Sequence, residues 1–470
     1  MASFSALEIL FFPFPSPGHY LPLIDIATLI ASRGANATVV INPVILSRLP
    51  PSLLRTAGLH FHSIPFPSAA AGLPDGISTA DDVPTALFPR FAVALSLLRN
   101  PFTDLLRHLS PSAVISDALL PFTAETAASL GIPWFSFPGT GLFALSVDLS
   151  IFLNRPHQTE PISDSFVVPG LPHWIELTHS QLKETTLPGR PTSDFFALAK
   201  QADRFTTGIV INSFTDLEPG YAEHYQREMG KRIFLIGPVS TIRCSEEEEQ
   251  NSQIMTWLKK KPERSVIYVC FGSLCRLPEK QILEIGRGLE DSGVAFIWVI
   301  REASASPEVA EIEQRVGKRG IIVRGWIAGQ AAVLRHPSIG GFLTHCGWGA
   351  VTEAVAAGIP MLTWPMFGEQ FYNEKLVNEL VGIGVEIGAT EGFVLGEEEK
   401  NRVLVGRERI SERVRLLMDN STGSGSGSHQ DIEGVRKSAK EMKEKARKAM
   451  AEGGSSYIAV ESLLEHCRLS

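Results

Sequence analysis

The stretch HPSIGGFLTHCGWGAVTEAVAAGIPMLTWPMFGEQFYNEKLV, His336 to Val377, decides the fold class. Gly341–Thr344 is a short apolar run that reads as a strand. The small residues from His345 to Ala350 make a turn, Val351–Ala357 has helical spacing, and a second apolar run, Pro360–Trp364, follows at once. Strand, turn, helix and strand in this order form a βαβ unit, whose strands lie parallel with the helix packed over them.

The same alternation extends outward in both directions. Upstream lie Ser265–Phe271 before the helical pattern Glu279–Ser292, then Phe296–Ile300. Nearer the start, Ile9–Phe14 precedes Leu21–Ser32, Thr38–Ile41 follows, Ala113–Ser116 precedes Thr123–Leu130, and Trp134–Phe137 and Gly208–Asn212 complete the set. Continuous apolar strands separated by helices predict parallel sheets covered on both faces, hence an α/β protein. The alternation stops between Gly237 and Ser252, where the acidic run Glu246–Glu249 reads as a solvated linker. The expected organisation is therefore a first domain over 1–240, a linker over 241–252 and a second domain over 253–456. A Gly/Ser-rich stretch at 421–428 reads as a surface loop, and Arg436–Lys448, with interspersed glutamates, as an exposed helix face.

Composition narrows the partners. The 470 residues carry 43 Lys plus Arg against 51 Asp plus Glu, a net charge of −8, with no basic tail of the kind nucleic acid or anionic membrane would select. The charge is unevenly placed: the first 182 residues contain no lysine, seven arginines and twelve acids. A segment so poor in charge should bury a large apolar core or line an apolar pocket. Five cysteines without CxxC spacing argue against a disulfide framework or a zinc site, and no apolar run approaches the roughly 18 residues of a spanning helix. A cytoplasmic, monomeric protein without a membrane span is expected.

In doubly wound sheets ligands bind beyond the carboxyl ends of the strands, so polar residues just after each strand are the candidates. His19, between the first strand and the next helix, lies near a helix N-terminus, which favours a neutral imidazole. Asp117, directly after Ala113–Ser116, can cap a helix or accept a proton from a neighbouring imidazole, so a His19–Asp117 dyad is geometrically possible. Gly272–Ser273 after one strand, and His345 to Ala350 after another, suit a phosphate met by backbone N–H groups. Glu353, one turn into the following helix, suits a ribose diol, and Glu369 with Gln370 suits adjacent sugar hydroxyls. Neither GxGxxG after a strand nor GxxxxGK[ST] occurs, which disfavours a nicotinamide oxidoreductase and a P-loop enzyme.

Taken together, these residues resemble the plant UDP-sugar-dependent glycosyltransferases, from the opening PxPGHYLPLIDIA to the closing EGGSSY, most specifically over Trp326 to Gln370. The resemblance implies two facing Rossmann-like domains (the GT-B fold) with an interdomain cleft, and a last helix over 457–469 that returns to the first domain. It assigns Trp326 and Gln330 to the uracil end, Ser273 and His345 to the diphosphate, Glu353 to the ribose, and Trp348, Glu369, Gln370 and Thr140 to the sugar. His19 becomes the catalytic base and Asp117 its supporting acid. Gly349 and Ala350 stand where the family usually has Asn-Ser, and Trp326 to Gln330 is one residue longer than the common spacing.

The function so implied is inverting transfer of a sugar, glucose first among candidates, from a UDP-sugar to a hydroxyl of a small hydrophobic acceptor such as a flavonoid or terpenoid. Phe122, Phe143, Phe195 and Phe196 are candidate acceptor-lining residues. No Asp-x-Asp clamp occurs, so no cofactor and no metal are expected. The rival readings are a C-glycosyltransferase or rhamnosyltransferase, and a non-catalytic nucleotide-sugar-binding protein.

Overall fold

The computed structural model describes residues 7–159, 161, 165–183, 200–242, 252–301, 306–325, 327, 329–393, 402–419 and 431–469. The acidic run, the 421–428 loop, Phe195, Phe196 and Trp326 lie outside the described residues. The strands, in chain order, are β1 Glu8–Phe12, β2 Asn36–Ile41, β3 Leu59–Ser63, β4 Ala113–Asp117, β5 Trp134–Phe137, β6 Ser165–Val167, β7 Glu176–Thr178, β8 Gly208–Ile211 and β9 Arg232–Leu235. They continue with β10 Val266–Cys270, β11 Ala295–Ile300, β12 Gly320–Arg324, β13 Ile339–Thr344, β14 Met361–Thr363 and β15 Gly384–Glu386. The two large sheets among them run β3-β2-β1-β4-β5-β8-β9 and β12-β11-β10-β13-β14-β15, all pairs parallel, while β6 and β7 form a small antiparallel pair. Each sheet is doubly wound with helices between its strands, the α/β architecture expected from the alternation.

The strands are apolar because both faces are covered. In β1 Ile9, Leu10 and Phe11 have no solvent exposure, and in β10 the same holds for Val266 to Val269. The chain divides into two compact units, one of Met1–Ser146, Glu184–Ile242 and Lys448–Ser470, the other of Val147–Lys183 and Arg243–Arg447. Each has its own core, in the first around Ile9, Phe11, Val39 and Ile115, in the second around Ile267, Val269, Trp298 and Leu343.

This division departs from the contiguous segment 1–240. Residues 147–183 count with the second unit because their contacts lie there: Ser180 Oγ donates to the Thr390 carbonyl at 2.8 Å, and the Lys183 N–H to the Tyr372 hydroxyl at 3.3 Å. The closing helix Ser455–Leu469 belongs to the first unit. Its Val460, Leu463 and Leu464 enter that core, Ser456 Oγ donates to the Gly237 carbonyl, and Arg33 lies 3.6 Å over the Tyr457 ring.

Topology also fixes where ligands can go. In the first sheet the chain leaves β1 towards β2 on one side and reaches β4 on the other, so the β1/β4 boundary is a switch point; in the second sheet the β10/β13 boundary is the equivalent. Crevices open at such boundaries beyond the carboxyl ends of the strands.

Candidate active site

In the first unit, parallel pairing sets Phe12 of β1 opposite Ser116 of β4, which leaves Asp117 one step further along the crevice. The chain after β1 turns through Pro13 to Ser16 into the helix Pro17–Ser32. Pro17 at its first position supplies a fixed φ and no wasted N–H. The helix starts four residues earlier than its apolar spacing suggests, which places His19 inside the first turn rather than ahead of it. From there His19 Nδ1 meets Asp117 Oδ2 at 2.7 Å. The carboxylate is fully buried and the imidazole side chain 21 % exposed, so the ring is held from behind and presented in front. Asp117 is itself anchored, its Oδ1 accepting the Leu119 N–H at 2.9 Å.

Gly139 completes the cradle. It adopts φ +69°, and a Cβ there would fall 2.8 Å from His19 Nδ1. Phe14 packs edge-on against the imidazole, ring centroids 5.4 Å apart. Thr140, the next residue, has a buried hydroxyl with no hydrogen-bond partner among the described residues. A buried polar group left unmet marks a place where a ligand atom or water completes the bonding. A small apolar cavity of about 20 Å³ lies in the same unit, lined by Phe12, Pro13, Pro15, Ile41, Ile64 and Phe66 among others.

Of the phenylalanines proposed for acceptor contact, the two described ones, Phe122 and Phe143, are buried. Phe143 has no exposure and packs edge-on against Tyr221, while Phe122 is buried against Phe12 and Phe102. Both are core, because a helix packed over a parallel sheet turns its large apolar side chains inward.

In the second unit, Cys270 of β10 pairs with Thr344 of β13, so the turns after the two strands touch. His345 lies between two glycines: a Cβ on Gly272 would be 2.5 Å, and one on Gly347 2.4 Å, from its Nε2. The bare backbone of Gly272 thus leaves room for the imidazole. Cys346 takes φ +64°, rare for a residue with a side chain and typical of strain held at functional sites. Asn373 holds it by donating from Nδ2 to the Cys346 carbonyl at 2.9 Å. Burial pushes the His345 imidazole down to about 4, only partly offset by the Cys270 carbonyl, so the ring is neutral at pH 7. Its Nδ1 is buried and has no partner among the described residues; the same is true of Trp364 Nε1.

The turn at Gly347 starts the helix Trp348–Ala357. Trp348 and Ala350 are buried, whereas Gly349 has open space where a Cβ would stand. Glu353 Oε2 accepts from Gln330 Nε2 at 2.7 Å, and Gln330 Oε1 accepts from the buried Tyr268 hydroxyl at 3.1 Å. Gln330 therefore braces Glu353. Gln370 Oε1 accepts the N–H groups of Met366 and Phe367, which shapes the turn carrying Glu369. Ser273 is half-buried, and its carbonyl accepts from Arg301. Burial pushes the Cys270 thiol up to about 11 and the Cys346 thiol well above its ordinary value, so neither is a nucleophile. Among the described residues no three His, Cys, Asp or Glu side chains are grouped as metal ligands, and no helix is long and apolar enough to cross a membrane.

Sequence reading missed Gly139 and Asn373. They act by shape and by bracing a backbone, which leaves no signal except a glycine after a strand or an asparagine on an apolar helix.

A family model described as "Glycosyltransferase, N-terminal domain" matches residues 5–241, and one described as "UDP-glucoronosyl and UDP-glucosyl transferase" matches residues 223–391. A scopoletin glucosyltransferase of Nicotiana tabacum is 37% identical, with 98% of this chain and 97% of that protein covered. The chain belongs to the plant UDP-glycosyltransferase family. This UDP-glycosyltransferase is also 38% identical to a UDP-glucose flavonoid 3-O-glucosyltransferase of Fragaria ananassa, over 97% of this chain and 95% of the other. Among solved structures, a Glycyrrhiza uralensis UDP-glycosyltransferase complexed with glycyrrhetinic acid 3-O-monoglucuronide matches with a TM-score of 0.90 at 34% identity, over 98% of this chain and 96% of that one. The two parallel sheets are those of the GT-B fold.

Proposed function

We propose that this glycosyltransferase moves glucose from UDP-glucose to a hydroxyl of a small hydrophobic acceptor, with inversion at the anomeric carbon and without a metal. The observation that carries the reading is the His19–Asp117 pair at a switch point, 2.7 Å apart, one member buried and the other half-open. Binding a nucleotide sugar requires neither residue. A base with an orienting carboxylate is what deprotonation of an alcohol requires.

In the proposed step the acceptor O–H loses its proton to His19 Nε2, and Asp117 stabilises the imidazolium that results. The acceptor oxygen forms its bond to the anomeric carbon as the bond from that carbon to the UDP oxygen breaks, and UDP leaves with the electron pair. The negative charge growing on the diphosphate is met by Ser273, by the neutral His345 as a hydrogen-bond donor and by the start of the helix Trp348–Ala357. Glu353 holds the ribose. Thr140, Glu369 and Gln370 hold the sugar, and Trp326 the uracil.

Relatives named for scopoletin and flavonoid glucosylation support an aromatic acceptor. A compartment of the cytoplasm and a monomeric state accompany the proposal. A thermal-shift panel of UDP-sugars, followed by mass spectrometry of products from a phenolic library, tests it. UDP-glucose should stabilise the protein and yield O-glucosides. Stabilisation by a nicotinamide cofactor and by no UDP-sugar would refute the reading, and rhamnosides or C-glycosides would redirect it.

A further inference from the structure

Tyr268 lies in the middle of β10, paired with Ile297 of β11 and Phe342 of β13. Its neighbours in the strand, Ile267 and Val269, enter the core of the second unit on one face of the sheet. Side chains alternate along a strand, so Tyr268 takes the other face, its ring 5.2 Å from that of Phe342 and without solvent exposure. There its hydroxyl lies 3.1 Å from Oε1 of Gln330, the first residue of the helix Gln330–Arg335. Gln330 Nε2 in turn lies 2.7 Å from Glu353 Oε2, in the helix Trp348–Ala357. Two hydrogen bonds in series thus tie a central strand to two helices, all within the second unit.

The direction of this chain is set by its ends. A carboxylate only accepts, so the Gln330 amide turns Nε2 towards Glu353 and Oε1 towards the phenol, which must donate. Burial, and then Cys270 and Glu353, push the Tyr268 hydroxyl well above its ordinary value, so that proton is always present. We propose that Tyr268, acting through Gln330, is a positioning residue for the ribose of the nucleotide and sets the preference for ribose over deoxyribose: anchored in β10, it fixes the amide that holds the Glu353 carboxylate ready for the ribose hydroxyls. The proposal rests on the reading of Glu353 given above. Hydrogen bonds that run in one direction polarise and strengthen one another, and an acceptor fixed in advance loses little freedom when its ligand arrives.

The test compares UDP and 2′-deoxy-UDP as inhibitors competing with UDP-glucose. The wild type should bind UDP about tenfold or more tightly than 2′-deoxy-UDP, because a site built around a hydroxyl rejects the analogue that lacks it. Tyr268→Phe, which removes one oxygen and keeps the ring, should weaken UDP about fivefold and 2′-deoxy-UDP less than about twofold, so the preference narrows. Adding Tyr268→Phe to Gln330→Met should cost nothing further, since the hydroxyl then has no amide to hold. If Tyr268→Phe does not fold, Gln330→Met alone is read in the same way.

A Tyr268→Phe enzyme with the wild-type preference, beside a Glu353→Gln enzyme that has lost it, would overturn the proposal and leave the ribose reading standing. An unchanged preference in both variants, or none in the wild type, would overturn that reading too. Equal weakening of UDP and 2′-deoxy-UDP in Tyr268→Phe would assign the hydroxyl to packing and also overturn the proposal.

Discussion

The His19 imidazole is fixed by three contacts of different kinds: an ionic hydrogen bond to Asp117, an edge-on ring contact to Phe14, and the bare backbone of Gly139. The last is the least obvious and the easiest to break. Gly139→Ala must accommodate a Cβ 2.8 Å from Nδ1 at a φ of +69°, so the ring has to leave Asp117. The expected result is a fall in kcat of about 10²-fold or more, the scale of a lost general base, with the affinity for UDP unchanged in a fluorescence or calorimetric titration. An equal fall in UDP affinity would mean that the second unit had been disturbed instead. His19 and Asp117 were legible in the sequence because each is polar at the end of an apolar run. Gly139 was not, since a glycine after a strand is compatible with any turn.

Elements carry the next set of consequences. The helix Trp348–Ala357 begins where the chain leaves β13 through the strained Cys346, and position 349 in its first turn has room for a side chain. Gly349→Asn therefore introduces no clash. Replacing glycine in a helix is worth a few tenths of a kcal/mol, and the amide restores a donor usual in the family at this position. The mutant should melt no lower than wild type and should show a KM for UDP-glucose reduced severalfold; a lower melting temperature would show the open space to be needed for another purpose. At this scale the sequence reading was most secure for strands, whose apolar runs match β1, β4, β5, β10 and β13 within two residues. It was weakest for helix starts, as at Pro17 and Trp348, because prolines and glycines at a first turn look like loop. The edge strands β3, β9, β12 and β15 were missed: β3 and β15 have interrupted apolar patterns, and the runs Ile233–Ile236 and Ile321–Val323 at β9 and β12 are short and adjoin charged residues.

Among the described residues, each unit conceals a carboxyl group whose ionisation burial opposes: Glu218 in the first, pushed up to about 7, and Glu374 in the second, pushed up to about 8. In the unfolded chain such groups ionise near 4.5, so above that pH the folded state binds the extra proton and stability falls as pH rises towards 8. His345 works in the opposite direction, since its folded-state value of about 4 lies below 6.5 and stability falls as pH drops from 6.5 to 4. Glu374→Gln should therefore raise the melting temperature at pH 8 by several degrees and have little effect near pH 4.5; a destabilised mutant at pH 8 would show that Glu374 is ionised in the folded protein. The two-sheet architecture could be read from the sequence, since it follows from alternating apolar runs. The attachment of residues 147–183 to the second unit could not, because it depends on contacts such as that of Lys183 with Tyr372, separated by 189 positions. The central claim is that a histidine at the first switch point removes the acceptor proton in a transfer from UDP-glucose. It is tested most directly by the rate of His19→Ala on an aliphatic or weakly acidic hydroxyl, with UDP binding checked to be intact. The account predicts about a hundredth of the wild-type rate or less, the 10²–10⁴-fold range of general-base catalysis; a mutant that keeps more than about a tenth would contradict it.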